Sequence, residues 1–483
     1  MQKKMESLND EVTFVDSGNI KILNDYCLIH IFEYLTVDDK LNAEEVCKRW
    51  QHLCQKAWCH YQFKNLSINH DSWNLPCNIF RDDNTSKKII MRLARYITSI
   101  DLSRQYPIVK RQEISVQFLC DVLENCHKID TLFLTYPFTA DNDKINELIK
   151  WMKYYSLQLT KFGYAHQSMI LTDKMLFYLL SLMKNLKLFF IDSIIGDDFI
   201  KYLPLESLEE LIMENCGQIE LNPLLDVLQK STKLHTFCSS GLTAGDRLNF
   251  SANSPIKNLG ITMSFSSNNL LWSLSVGQLR NIEKLNIELN DNVNDEFLYK
   301  LSTFCKKLTF LNFSGCQSVT DEGTKRLNTL PNLNYLALGG INNVSGKYFG
   351  IIPQLEVLDC KNCMSITDES LMGIIRFANG LKILNLSGCS LISKDLVRTA
   401  INATRRRENG IILYISIDRT SIKMKEIKRK SPMLSLKQMI HYAVDCTSNY
   451  NGYFPTIYDF YYISTSTNNE HETKRIYSYL KKD

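Results

Sequence analysis

The sequence predicts an α/β solenoid, a curved stack of strand-plus-helix units, preceded by a small three-helix module. Two observations predict it. An apolar frame recurs along most of the chain at nearly constant spacing, and one stretch near the N-terminus carries short helical stripes that belong to no repeat. Composition sets the bounds. A chain of 483 residues, 45% apolar and 22% charged, can bury a core of about three ordinary domains.

The N-terminal module comes first in chain order. The start, MQKKMESLND, has no apolar run of the secretory kind, so an intracellular chain is expected, with residues 1–18 as a flexible lead-in. Between residues 19 and 62, Leu28, Ile31, Phe32 and Leu35 fall at i, i+3, i+4 and i+7, one stripe of a short helix. Thr36 to Asp39 offers a second helix start. Val46, Cys47, Trp50 and Leu53 make another stripe. So small a core calls for a partner surface. Residues 63–95, rich in Asn, Asp and Ser, read as a linker and entry to the repeats.

The repeat frame occupies residues 96–417, about 12 to 13 copies. Its clearest forms are Leu308, Leu311, Phe313 with Cys316; Leu381, Leu384, Leu386 with Cys389; Leu355, Leu358, Cys360 with Cys363; and Leu333, Leu336, Leu338 with Ile341. Ile282, Leu285, Ile287 and Leu208, Leu211, Met213 continue it upstream, and weaker copies include Leu234, Phe237, Cys238. From residue 189 to 384 the middle positions lie 22 to 26 residues apart. In each copy the alternation of a strand sends the leucines to one side and the intervening residues to the other, the concave side. A Thr-Asp pair, as in Thr320-Asp321 and Thr367-Asp368, then marks a helix start, so a helix is expected behind each strand.

Cysteine placement follows the same frame. Cys216, Cys316, Cys363 and Cys389 share a position that Asn290 and Ile341 also fill, so they read as small buried groups with weak S–H donors rather than ligands. The count of fifteen is odd and scattered, which fits free thiols. Zinc would need four converging ligands, and Cys360-x-x-Cys363 has no second pair. No catalytic motif, cofactor loop or metal set is present in the pattern, so neither catalysis nor a cofactor is expected. A net charge of +4 without a basic stripe argues against nucleic acid, and the richest apolar stretch, residues 175–191, is interrupted by lysines, which argues against a membrane span.

The pattern C-x-x-L-x-x-L-x-L-x-x-C-x-x-(I/V)-T-D resembles the cysteine-containing subclass of leucine-rich repeats, closely over residues 281–397 and loosely upstream to about 96. The order L-x-D-x-x-L-x-x-I-F-x-Y-L, then D-x-L-x-x-x-x-V-C-K-x-W with Trp58 beyond, resembles the F-box. Asn24 stands where that family usually has proline. The resemblance implies the substrate receptor of a cullin-RING ubiquitin ligase. Its F-box docks on a Skp-type adaptor, and through it on cullin and a RING protein, while the repeats hold a protein substrate for degradation. It implies adaptor contact, or the shaping of it, at Leu23, Asn24, Leu28, Ile31, Phe32, Leu35, Leu41 and Val46, with Cys47 and Trp50 holding the helices together. A non-ligase scaffold with a weakened F-box is the alternative.

Substrate candidates follow from the alternation: Lys284, Asn286, Glu288, Phe310, Asn312, Ser314, Tyr335, Ala337, Asp359, Lys361, Asn385 and Ser387. Beyond residue 417 the frame is lost. In the tail, residues 418–483, KMKEIKRK at 423–430 reads as a solvated linker or a nuclear signal, so the chain is placed in the cytoplasm with the nucleus left open. The stretch from Tyr450 to Ile463 is dense in Tyr and Phe, which seldom stay in water and would pack on the repeats or anchor a partner.

Overall fold

The computed structural model describes residues 23–35, 37–60, 65–67, 91, 93–102, 114–134, 138–139, 142–165, 170–192, 197–216, 221–240, 254–262, 279–290, 292–423, 427 and 431–437. The chain divides into two compact units, residues 1–102 with 114–129, and residues 103–113 with 130–483.

The first unit opens with three helices, α1 (Asp25–Glu33), α2 (Val37–Val46) and α3 (Lys48–His60). Asn24 starts α1: its side-chain oxygen accepts from Cys27 N at 2.9 Å, a strong N-cap. Leu28 and Phe32 enter a core with Ala43, Leu53, Cys54 and Ala57, and Leu23, Ile29, Leu35 and Trp50 pack against it. The stripe expected to run from Val46 through Cys47 is broken. Helix α2 ends at Val46, Cys47 is the link, and both are exposed. Thr36, the expected second cap, lies outside the described residues. Further along this unit, the span expected as linker contains a strand, β1 (Asn65–Ser67), paired in parallel with β2 (Ser99–Leu102). Tyr96 donates its hydroxyl to Gln55 O at 3.1 Å, which ties the residues before β2 to α3. Strand β3 (Ile114–Ser115) leads into a helix, Val116–Asn125, which Ser115 caps by accepting from Phe118 N.

The second unit is a sheet of short parallel strands. They are β4 (Thr131–Leu134), β6 (Lys161–Ala165), β7 (Leu188–Asp192), β8 (Glu210–Glu214), β9 (Thr236–Ser240), β10 (Asn258–Thr262), β11 (Lys284–Asn286), β12 (Phe310–Asn312), β13 (Tyr335–Ala337), β14 (Val357–Asp359), β15 (Ile383–Asn385), β16 (Leu413–Ser416) and β17 (Leu434–Lys437). They follow in that order, while β5 (Phe138–Thr139) stands outside this sheet. Register is constant across it. Leu132, Phe162, Phe189, Leu211, Phe237, Leu259, Leu285, Leu311, Leu336, Leu358, Leu384 and Ile415 form one continuous row, every member fully buried. Amphipathic helices bury their apolar stripes behind the leucine side, for example Leu298 and Leu301 of Asp295–Phe304 and Leu371, Ile374 and Ile375 of Asp368–Phe377.

Four expectations change. The repeat sheet does not stop at residue 417: β17 pairs with β16, with Leu436 opposite Ile415. A helix does not back every strand, because residues 341–355 between β13 and β14 run in turns. In the weak copy around β9 the row member after Phe237 is Ser239, and Cys238 points to the opposite face. The aspartate at these helix starts, after Asn294 as well as after Thr320 and Thr367, does more than start a helix. Asp295 accepts from Thr320 N and Oγ1 at 2.7 and 2.6 Å, Asp321 accepts from Ser345 N and Oγ and Gly346 N at 3.0, 2.6 and 3.0 Å, and Asp368 accepts from Ser393 N and Oγ. Each aspartate thus staples its repeat to the next.

The repeat cysteines act likewise. Cys316, Cys363 and Cys389 donate their thiols to the carbonyls of Ile287, Leu338 and Cys360, one repeat earlier, at 3.1, 3.1 and 3.0 Å. Burial pushes the Cys363 and Cys389 thiols up to about 12 and about 11, so they stay protonated donors. Cys27, Cys47, Cys54, Cys120, Cys126, Cys216, Cys238, Cys305, Cys316, Cys360, Cys363 and Cys389 are free thiols.

Candidate functional site

Two surfaces can hold a partner, one in each unit. In the second unit it is the sheet face opposite the leucines, which carries two rows. One runs Phe133, Gly163, Phe190, Ile212, Cys238, Gly260, Asn286, Asn312, Ala337, Asp359, Asn385 and Ser416. The other, two residues earlier, holds Lys161, Leu188, Glu210, Lys284, Phe310, Tyr335, Val357, Ile383 and Tyr414. The first row is apolar at its start and polar at its end, and the second turns apolar from β12 on. Apolar side chains therefore fill the first row from β4 to β9 and the second from β12 on, with Asn258, Gly260, Lys284 and Asn286 between the two stretches.

All twelve substrate candidates lie on this face, yet none is exposed. Asn286, Glu288, Phe310, Asn312, Ala337, Asn385 and Ser387 are buried, and Lys284, Ser314, Tyr335, Asp359 and Lys361 are half-buried. Part of the reason is lateral bonding between repeats. Asn312 donates to Glu288 at 2.8 Å, Asn385 donates to Asp359 at 3.1 Å, and the Ser387 and Ser416 hydroxyls lie 2.6 Å apart. Burial raises the Asp359 carboxyl above its ordinary value, and it lowers Lys284. Alternation places Ile212 on this face, whereas Cys238, which it had placed among core residues, and Phe133, Leu188 and Phe190 were missed as members of it. Their signal was present in the register, which needs the strand alignment to be read.

In the first unit, α1 presents a face away from its core. Tyr26 and Tyr34 are almost fully exposed, Ile31 and Val46 are largely exposed, and His30 packs edge-on against Tyr34 with ring centroids 5.2 Å apart. Behind them the packing is closed by charge. Arg49 donates to Asp25 Oδ1 through Nε and Nη2 at 3.0 and 2.8 Å and to Leu23 O at 2.7 Å, clamping the start of α1 to α3. Lys40 is buried with its ammonium 5.3 Å from the Trp58 ring, and Trp58 donates to Glu44 at 2.7 Å. Burial lowers Lys40 to about 8 and raises the Cys54 thiol to about 12.

A family model described as F-box-like matches residues 25–63. The chain carries an F-box-like domain. A Caenorhabditis elegans protein named "Putative RNA-binding protein EEED8.10" is 29% identical over 136 residues, 27% of this chain and 18% of that protein's length. Among solved structures, the Rad7 and Elc1 complex of yeast is similar over 85% of this chain and 92% of the other, with 15% identity and a TM-score of 0.34. An internalin of Listeria monocytogenes covers 71% and 88%, with 13% identity and a TM-score of 0.33. The TLR13–ssRNA13 complex covers 70% and 45%, with 14% identity and a TM-score of 0.39.

Within the F-box the sequence-derived contact residues separate into two groups. Leu28 and Phe32 are core, with Leu23, Leu35 and Trp50 half-buried against them, so these shape the surface from behind. Ile31 and Val46 face outward, Leu41 is half-buried, and Cys47 is exposed rather than a clasp between helices. Asn24 serves as the α1 cap. Tyr26 and Tyr34 were missed, because the apolar stripe at helical spacing describes the inward side. Aromatic residues on the other side of the same helix were the available signal. Among the described residues no group of His, Cys, Asp and Glu could hold a metal ion, and no helix is long and apolar enough to cross a membrane.

Proposed function

We propose that this chain is the substrate-recognition subunit of an SCF-type ubiquitin ligase, its F-box docking on a Skp-type adaptor and its repeat sheet holding a protein substrate. One observation carries the reading. An F-box-like domain with exposed apolar side chains at Tyr26, Ile31 and Tyr34 along α1 and at Val46 of α2 shares a chain with a repeat sheet whose other face holds buried apolar side chains. The capping of α1 by Asn24 supports it over a weakened F-box, since the helix start is satisfied without the family's proline. Cullin and a RING protein would follow through the adaptor, in the cytoplasm.

Co-expression of the full chain with a Skp-type adaptor tests this. Docking would bury what remains exposed of Ile31 and Val46, about 1 kcal/mol each, so Ile31→Ala with Val46→Ala weakens adaptor binding about 30-fold without unfolding the F-box. Leu28→Ala acts differently. It opens a cavity in the core and costs roughly 2–5 kcal/mol of F-box stability. Failure of the wild-type chain to retain adaptor, or retention by the Ile31/Val46 double variant equal to wild type, would sink the proposal.

A further inference from the structure

The helix layer of the second unit carries a hollow that the repeat frame does not account for. In the helix Asn142–Tyr155, Leu148, Met152 and Tyr155 fall at i, i+4 and i+7 and are buried. Trp151 is half-buried beside that stripe, and Tyr154 is 66% exposed. The chain leaves the helix through Leu157, which is also largely exposed. With Leu182 at the end of the next helix, Asp173–Leu182, these side chains wall a cavity of about 490 Å³, within the roughly 300–1,000 Å³ of ligand pockets. The charged residues among its lining are both cations, Lys150 and Lys153. Each ammonium is held over an aromatic ring, Lys150 at 5.9 Å from the Trp151 centroid and Lys153 at 5.4 Å from that of Tyr178 on the next helix. Among the described residues neither is paired with a carboxylate, and Glu147, one turn before Lys150, pairs with Lys144 at 3.0 Å.

We propose that this cavity docks an acidic segment of another protein, which inserts a large apolar side chain between Trp151, Tyr154 and Leu157 and sets flanking carboxylates on Lys150 and Lys153. Charge complementarity selects the occupant. Two positioned cations without a counter-ion, beside an apolar hollow, repel a basic ligand and favour an anionic one. The rings decide which anion. A nucleic acid would stack its bases on aromatic faces, but Trp151 and Tyr178 each already carry a lysine ammonium, and Tyr154 meets Trp151 and Tyr155 edge-on at 6.1 and 5.0 Å. Walls of Leu157 and Leu182 suit an aliphatic or aromatic anchor instead. Spacing agrees. Residues three apart on a helix have Cβ atoms about 5–6 Å apart, and alternate residues of an extended chain are about 6.6 Å apart, so carboxylates at alternate positions reach both lysines and the next residue on that side faces the hollow. The cavity uses no residue of the F-box or of the free sheet face, so the proposal stands or falls apart from the ligase reading.

Fluorescence anisotropy on the full chain with the fluorescein-labelled peptide DEDELFDEDE tests it. The wild type should bind saturably, and should bind DEDESSDEDE, which lacks the apolar anchor, at least ~10-fold more weakly. Lys150→Glu with Lys153→Glu should weaken DEDELFDEDE at least ~10-fold, whereas Lys230→Glu, at the exposed end of another helix and paired with Asp226, should leave it unchanged. A second measurement does not depend on how the variants fold: p-benzoylphenylalanine in place of Tyr154 should capture the peptide on illumination. No binding by the wild type, equal affinity for the two peptides, unchanged affinity in the double variant, or no capture by the photo-reactive residue would overturn the proposal. Tighter binding of oligouridylate than of the peptide, lost in the same double variant, would assign the cavity to nucleic acid and overturn it as well.

Discussion

Asp321 offers the sharpest test of how the repeats hold together. It accepts two backbone N–H groups, from Ser345 and Gly346, and the Ser345 hydroxyl, all from the next repeat. Hydrogen bonds to a charged acceptor contribute roughly 1.5–3 kcal/mol each, but these three share one half-buried carboxylate that water can replace in part. The loss on Asp321→Ala is therefore about 3 kcal/mol, well below the sum. Asp321→Asn keeps an acceptor and loses the charge, so about half of that is expected. Glu322 is the control. It sits one residue on in the same helical turn, exposed, with only a surface pair to Lys325 at 3.5 Å, so Glu322→Ala should cost under about 0.5 kcal/mol. Urea unfolding of the full chain gives the comparison through the midpoint at constant slope. If the two alanine variants differ by less than about 0.5 kcal/mol, the aspartate merely favours its own helix terminus and the staple is wrong.

Two other outcomes are expected. Lys40 has its folded pKa lowered to about 8 by burial, so between pH 8 and about 10.5 the unfolded chain binds more protons and stability rises with pH. Cys54, raised to about 12, works the other way above pH 9. Lys40→Met removes only the first effect, so the variant's stability relative to wild type should fall between pH 7 and 9 in thermal unfolding, and a constant gap would refute the assignment. Gly388 has φ +79°, and a Cβ there would collide with the Asn362 side-chain oxygen. Gly388→Ala should cost about 2 kcal/mol, against less than about 0.5 for Gly380→Ala, where a Cβ meets open space.

The leucine row was legible because its physics is local. A strand alternates, so Leu311 and Phe313 must share a side, and constant spacing sets Leu311 beside Leu336 of the next repeat. The missing helix at residues 341–355 was not legible, since apolar residues such as Ile341, Val344, Phe349 and Ile352 are buried there in turns as they would be in a helix. Strand β17 was hidden by the basic run before it. In the F-box the stripe Leu28, Ile31, Phe32, Leu35 located the helix correctly but overstated its buried arc, because 3.6 residues per turn put Ile31 at the edge of that arc. Asp321 looked complete as a helix-start residue. Its bonds reach 24 and 25 residues ahead, and no local pattern marks them.

The two sides of the repeat sheet answer to different demands. In a stack where each repeat touches only its neighbours, folding is satisfied by the leucine row, the aspartate staples and the cysteine donors, each of which acts within one repeat or across one boundary. The uniformity of that row, apolar from Leu132 to Ile415, is what such a demand produces. The opposite row changes from Phe133 and Phe190 to Asn312 and Asn385 while the backbone register stays the same. Folding therefore does not require the aromatic stretch. Large apolar side chains on the free face of a sheet add stability only when something covers them, and uncovered they would favour association between chains. The aromatic stretch of the opposite row thus answers to a demand other than the stacking of repeats, whereas the leucine row answers to stacking alone.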